Sequence, residues 1–395
     1  MASSPRRFAA LVDRIASDGV AGWSVHERAV EAERNGRDVI ILSVGDPDFS
    51  TPEPIVESAV SALRAGDTHY TDMSGRPELR AAVAAEASAR LGLELTSESV
   101  VITAGTQGAM LQASLCLLEE GDEVIAFEPM YLTYEGTLCV GGASLISVAQ
   151  PASSGFRPDI SALRDAVNDR TRVIALTNPN NPTGVILTDD ELQEIADIAI
   201  EHDLWVISDE VYADLIFDGE HRSIASIDGM AERTVIVTSL SKSHAMTGWR
   251  VGWAIGPADL ISHMCELQVN INYGLPGFIQ QAALDVLLHH RDASVAMKEI
   301  YRERRDLVAS ILAEVENIDV LVPEAGMYVM IDVSKVAESG QAFADELFDA
   351  TGVALVDAGA FGLSAADWVR VAFTVSNEAL KDAATRIAEF VSAKK

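Results

Sequence analysis

Ser239-Leu240-Ser241-Lys242, followed shortly by Gly248-Trp249-Arg250-Val251-Gly252, is the most informative stretch of this chain. Before it runs Thr234-Val235-Ile236-Val237-Thr238, an unbroken β-branched run with the pattern of a buried strand. A lysine at the mouth of such a strand is partly desolvated. Its pKa falls, and the neutral amine can attack a carbonyl to form a Schiff base. Ser239 and Ser241 offer hydroxyl donors to phosphate oxygens, and Arg250 can grip a phosphate with two parallel bonds. An aldehyde-capturing amine beside phosphate-holding groups is the set that pyridoxal phosphate requires. A lone lysine after a strand is more often a solvated loop residue, so the reading depends on what else the chain supplies.

Working upstream, Leu204 to Ser208 reads as a strand that delivers Asp209 at its tip, three residues before Tyr212. A carboxylate there serves either as a helix N-cap or as the partner of a cationic ring nitrogen. The strand Arg172 to Thr177 ends in Asn178-Pro179-Asn180-Asn181-Pro182-Thr183-Gly184. That is a rigid loop at a strand's carboxyl end, where α/β sheets place ligands. Glu123 to Phe127 is a strand ending in Glu128-Pro129-Met130-Tyr131. Ser99 to Thr103 enters Ala104-Gly105-Thr106-Gln107-Gly108 and a helix to Glu120, which exposes backbone N–H groups at a helix start. The glycine spacing fits neither a Walker loop nor a dinucleotide fingerprint. A strand over 144–148 and helices over 159–168 and 189–202 complete this alternation. Nearer the start, helices are expected over 23–37, 54–65 and 78–92, and the polar loop Thr68 to Gly75 carries Tyr70. The strand Val39 to Val44 ends in Gly45-Asp46-Pro47-Asp48-Phe49, a tight turn that either meets a ligand or merely connects.

Downstream of the strand 251–255, helices are expected over 276–290 and, long and charged, over 293–315. The remainder alternates strand 327–333, helix 341–350, strands 353–356 and 368–373, and helix 377–393. Arg370 interrupts the apolar run of the last strand. Facing outward it is solvated; facing inward it must be paired, and a substrate carboxylate is the candidate. The pattern predicts an α/β fold: a large domain with a mostly parallel central sheet between helices, plus a smaller α+β domain. The expected boundaries are 1–45 (N-terminal arm and part of the small domain), 46–292 (large, cofactor-binding) and 293–395 (small).

Composition narrows the classes. The chain has 395 residues, 48% hydrophobic and 23% charged, as a globular protein with a sizeable core does. The formal net charge of −31 argues against nucleic-acid binding through phosphates. It reflects solubility or a saline habitat, or it steers a cationic substrate. No apolar run reaches the roughly 18 residues of a membrane span. Cys116, Cys139 and Cys265 are scattered and odd in number, which predicts reduced core thiols in a cytoplasmic protein and no metal site. Met1 to Gly22 carries Arg6, Arg7, Asp13, Arg14 and Asp18, unlike a secretory signal. Within it Phe8, Leu11, Val12 and Ile15 form an apolar helical stripe that would pack on something, such as another subunit.

Taken together, these motifs resemble the fold-type-I, pyridoxal-phosphate-dependent class I/II aminotransferases. The ordered matches are Tyr70, Ala104-Gly105-Thr106-Gln107, Tyr131, Asn181-Pro182-Thr183-Gly184, Asp209 with Tyr212, Ser239-x-Ser241-Lys242, Arg250 and Arg370. Leu42 to Phe49, Glu128 to Tyr131, Ile207 to Tyr212, Phe217 to His221 and Ser239 to Trp253 further resemble the arginine–pyruvate transaminases. The resemblance implies a catalytic set of Lys242, Asp209 and Tyr212. It implies cofactor contacts from Gly105, Thr106, Gln107, Tyr131, Asn181, Ser239, Ser241 and Arg250. Tyr70 would reach the phosphate of the neighbouring subunit, so a homodimer with shared sites is implied. Gly45, Asn181 and Arg370 would meet the amino acid or 2-oxo acid substrate, and Met327 and Tyr328 would edge its side-chain pocket. A dicarboxylate donor needs a further cation; Arg76 is the candidate by position, though its surroundings read as solvated. The alternatives on this scaffold are an aspartate or aromatic aminotransferase and a carbon–sulfur β-lyase.

Overall fold

Thr234 to Ser239 forms a strand, as its β-branched run predicts, and it is nearly central in a seven-stranded sheet. The computed structural model describes residues 7–15 and 22–394. Arg6 and Asp18, part of the secretory-signal reading, lie outside the described residues. The strands in chain order are β1 (Ile40–Ile41), β2 (Val100–Thr103), β3 (Glu123–Glu128), β4 (Ser144–Ala149), β5 (Thr171–Thr177), β6 (Trp205–Asp209), β7 (Thr234–Ser239), β8 (Gly252–Ile255), β9 (Asp319–Leu321), β10 (Tyr328–Asp332), β11 (Val353–Ala354), β12 (Val356–Asp357) and β13 (Trp368–Ala372). The helices are α1 (Ala10–Ile15), α2 (Ser24–Arg34), α3 (Glu53–Arg64), α4 (Pro77–Leu91), α5 (Gly105–Leu117), α6 (Tyr134–Leu138), α7 (Ile160–Ala166), α8 (Asp189–Glu201), α9 (Ala258–Ile271), α10 (Gly277–His289), α11 (Ala293–Ala313), α12 (Gly340–Thr351) and α13 (Asn377–Ala393).

The large sheet has the order β2-β8-β7-β6-β5-β3-β4. All its pairings are parallel except those of β8, which runs against both neighbours. Both faces are covered, as the continuous apolar strands require. Val100, Ile102, Ile236 and Trp253 point to a core shared with α3, α4 and α10. Val101, Val235, Val237 and Ala254 point the other way, to α5 and α9, by simple strand alternation. A second, antiparallel sheet has the order β12-β13-β10-β9, and β1 pairs in parallel with β11. Its core takes Val25 and Ala29 of α2, Tyr301, Val308 and Leu312 of α11, and residues of α12 and α13. Tyr212, Leu215 and Phe217, which follow β6, join the same core, so the two sheets meet there.

Several elements differ from expectation. The strand expected over 39–44 pairs only at Ile40 and Ile41, because the carbonyls of Ser43 and Val44 are taken by Arg370 and Thr374 side chains. The segment 353–356 divides between two sheets. Helix α9 has no counterpart in the sequence reading, although Leu260, Ile261, Met264 and Gln268 mark its buried face. Helix α6 and the edge strand β9 are also additional.

Candidate active site

The parallel strands deliver their C-terminal residues to one edge of the sheet. Thr177 ends β5, Asp209 ends β6, and Ser239 ends β7 just before Lys242. Because β8 is reversed, its first residue, Gly252, lies at this same edge opposite Ser239. That topology explains why Arg250 can precede a strand and still join residues that follow strands. Gly105 opens α5 directly after β2 at the same edge, opposite Gly252 through Thr103. Thr177, Asp209, Ser239, Lys242 and Arg250 line one cavity together with Trp23, Gly45, Tyr131, Asn181, Tyr212, Tyr328 and Arg370, while Gly105 and Gly252 lie behind its wall.

At one end of the cavity the hydroxyl of Thr106 donates to that of Ser239 at 3.0 Å. The Arg250 guanidinium donates to the carbonyls of Thr247 at 2.8 Å and Ala104 at 3.3 Å, and no carboxylate among the described residues pairs with it. A Cβ on Gly105 would stand 2.6 Å from Arg250 Nη2, and its φ of +74° also favours glycine. The Gln107 side chain is turned to α6, donating to Thr137 at 2.5 Å and accepting from Thr133 at 3.1 Å. Lys242 Nζ donates to the Gly45 carbonyl at 2.7 Å. Glycine at 45 leaves room for Tyr328, since a Cβ there would lie 1.8 Å from the Tyr328 hydroxyl.

Asp209 lies beneath, buried. It accepts from the Tyr134 hydroxyl at 2.6 Å and from the Val211 amide at 3.1 Å, so it also makes the local turn bond of an N-cap. Burial pushes its carboxyl up to about 6, against the pull of these two donors and of Lys242. Tyr134, absent from the sequence reading, bridges Asp209 to Thr177 at 2.8 Å. Its only sequence signal is a place one helical turn after Tyr131. The Tyr131 ring meets that of Tyr134 edge-on, 6.1 Å between centroids.

Arg370 faces inward and is 1% exposed, which overturns the solvated alternative. Its Nη1 donates to Asn181 Oδ1 at 3.0 Å and its Nη2 to the Ser43 carbonyl at 2.8 Å. The guanidinium stacks 4.1 Å from the Tyr328 centroid and 4.6 Å from that of Phe361. Its Nε is buried with no partner among the described residues. Asn181 donates to the Tyr212 hydroxyl at 3.3 Å, which meets that of Tyr328 at 3.2 Å.

Three expected residues lie elsewhere. Tyr70 is 81% exposed, edge-on to Tyr273 at 4.8 Å, and does not line this cavity. Arg76 is not solvated but pairs with Asp67 at 2.5 Å, also outside the cavity. Met327 belongs to the core rather than the cavity wall, because its neighbour Tyr328 takes the cavity-facing side of the strand.

The residues fit pyridoxal phosphate. A helix that starts at Gly105, three hydroxyls and an arginine without a carboxylate suit the phosphate. A buried carboxylate suits a cationic ring nitrogen, and the orphaned Nε of Arg370 suits a carboxylate. No group of three or more metal-ligating side chains is found among the described residues.

Comparison with known proteins gives the same answer. The family model "Aminotransferase class I and II" matches residues 37–387. The chain is 46% identical to the arginine–pyruvate transaminase AruH of Pseudomonas aeruginosa, over 97% of each protein. It is 35% identical to the aspartate/prephenate aminotransferase of Thermus thermophilus, over 92% of this chain and 94% of that one. Among solved structures, the Thermus thermophilus aspartate aminotransferase with maleate superposes with a TM-score of 0.91 at 34% identity, over 97% and 99% of the two chains.

Proposed function

The chain belongs to the class I and II aminotransferases, enzymes that depend on pyridoxal phosphate, and from that premise we propose that L-arginine is its amino donor and pyruvate its acceptor. The observation that carries this reading is the cation inventory of the cavity: Lys242, Arg250 and Arg370. In the proposed arrangement all three are committed. Gly105, Thr106, Ser239, Ser241 and Arg250 seat the cofactor phosphate, and Gln107 supports that seat from α5. Arg370 clamps the α-carboxylate of the substrate with Asn181 and the Gly45 backbone beside it. Lys242 holds the cofactor through its amine. Among the described residues, no further cation on the cavity wall is left for the distal carboxylate of aspartate. The likeness to AruH and the net charge of −31 support a cationic donor as well.

When bound, pyridoxal phosphate supplies an electron sink for the electrons freed at the substrate α-carbon. Asp209 keeps the ring nitrogen protonated, and the pair favours each other's charge, which lowers the raised carboxyl pKa. Asn181 and Tyr212 donate to the phenolic oxygen of the ring, and Tyr131 covers its face. Lys242, once its amine is free, moves the α-proton within the cavity, as a base already in reach. The 293–395 unit, with part of residues 1–45, closes over the 46–292 unit and excludes water. Tyr70 reaches the phosphate of a second subunit in a homodimer. The free Cys116, Cys139 and Cys265, and the lack among described residues of a helix able to cross a membrane, support a cytoplasmic location.

The test is an absorbance titration of the cofactor-loaded protein with L-arginine, L-aspartate and L-alanine, followed by pyruvate. Loss of the cofactor's visible band at the lowest concentration of arginine, and its return with pyruvate, is the expected result. A band lost first to aspartate or alanine would remove the arginine reading. The Lys242→Ala protein is expected to bind the cofactor and to lose turnover entirely.

A further inference from the structure

We propose that Trp23 is the platform on which the guanidinium of the amino donor lies, and that it sets the preference for a long cationic side chain; this rests on the arginine reading above. Trp23 enters the cavity wall from the segment that leads into α2. Among the described residues, the one carboxylate on that wall is Asp209, buried and already accepting from Tyr134 and the Val211 amide. An entering guanidinium therefore finds no free carboxylate there. It finds aromatic side chains, Trp23 among them, and of the aromatic rings an indole attracts a cation best.

The tyrosine rings of the cavity have other work. Arg370 covers Tyr328, and the hydroxyls of Tyr212 and Tyr328 meet each other. Tyr134 is fixed to Asp209, and Tyr131 is assigned to the cofactor face. No cation among the described residues lies over Trp23. The indole is also held in place relative to the carboxylate clamp. His26 stands edge-on to it, with ring centroids 5.7 Å apart and planes at 72°. His26 Nδ1 lies 2.9 Å from the Ser43 hydroxyl, and the Ser43 carbonyl accepts from Arg370 at 2.8 Å. A donor anchored at Arg370 thus has its side chain gauged against a ring joined to the anchor through two side chains. Burial holds the His26 imidazole below its usual range, which disfavours a positive charge beside the indole.

The experiment compares kcat/KM for L-arginine and for L-citrulline, a neutral near-isostere, in the loaded wild type, Trp23→Phe and Trp23→Leu. The wild type is expected to prefer arginine by about tenfold or more, the Phe variant to lose about threefold of that ratio, and the Leu variant most of it. Retained cofactor absorbance confirms that each variant folds; if the Leu variant does not load, the fall in the Phe variant alone reads the effect. A wild type that prefers arginine with variants that keep the full ratio overturns the platform and leaves the arginine reading intact. A wild type that does not distinguish the two donors overturns both.

Discussion

Asp209 faces opposite demands with and without the cofactor. In the cofactor-free protein its buried carboxyl titrates at about 6, above the roughly 3.9 of an unfolded chain. The folded state then keeps the proton between those values, so stability is lost as pH rises through that window. The loss is about 3 kcal/mol, complete above the folded pKa. Urea unfolding of cofactor-free wild type and Asp209→Asn should therefore show their difference moving in the variant's favour by about this amount between pH 4 and pH 8. In the loaded enzyme the sign reverses: Asp209→Asn should lower kcat by about 10²–10³-fold, because the ring nitrogen loses its charged partner. A pH-independent stability difference would show that the carboxyl is not held protonated. At this scale Lys242, Asp209 and Arg370 were legible because charged residues at the ends of or within apolar strands stand out. Tyr134 and Ser43 were not, because a tyrosine in a short helix and a serine in a strand look the same whether or not they support a catalytic residue.

Elements bring these residues together through backbone contacts that only glycine allows. Gly252 opens β8 beside Ser239, and a Cβ there would stand 2.6 Å from the Thr238 carbonyl and 2.8–2.9 Å from the Gly105 backbone. Neither obstacle is a flexible side chain, so β8 and the start of α5 would have to separate. Gly252→Ala should cost about 1–3 kcal/mol and weaken cofactor binding, since α5 begins at the proposed phosphate seat. Gly248 has nothing within 4 Å of such a Cβ, and Gly248→Ala should change stability by less than about 0.5 kcal/mol. Paired melting curves and cofactor dissociation constants check both; equal losses would mean that the β8–α5 contact does not matter. The long apolar runs of β3, β5, β6 and β7 revealed these strands in the sequence. The reversed direction of β8 was invisible, since a buried strand reads alike in either sense. Helix α9 escaped notice because a polar residue, Gln268, stands on its buried face and breaks the apolar stripe of Leu260, Ile261 and Met264.

On the scale of the whole molecule, Tyr70 projects from the surface, 81% exposed and outside its own chain's cavity. If it serves a second subunit, two inactive variants should complement each other. In a mixed dimer of Lys242→Ala and Tyr70→Ala subunits, one site carries both defects and the other neither. Random reassortment makes half the dimers mixed, so about a quarter of wild-type activity should return on mixing, measured as initial rate at saturating cofactor. No recovery, with exchange verified by sedimentation of tagged subunits, would place Tyr70 outside the neighbouring site. Phe8, just before α1, and Leu11, Val12 and Ile15 on α1 are exposed in the single chain and fit the same association.

The family and the chemistry were decided locally. Strand-end motifs in a particular order pointed to the family and to the proposed roles of Lys242, the residues around Arg250 and Asp209, because each motif depends on residue type and on a neighbouring strand or turn. What folding alone decided was the direction of Arg370, the commitment of Arg76 to Asp67, and the meeting of Trp23, His26, Ser43 and Arg370 around one cavity. The contact of Arg370 with Ser43 joins residues 327 apart in the chain, and even the shorter spans depend on how the segments fold. Their partners are chosen by sheet register and by the packing of α2 against the second sheet, which no local spacing encodes.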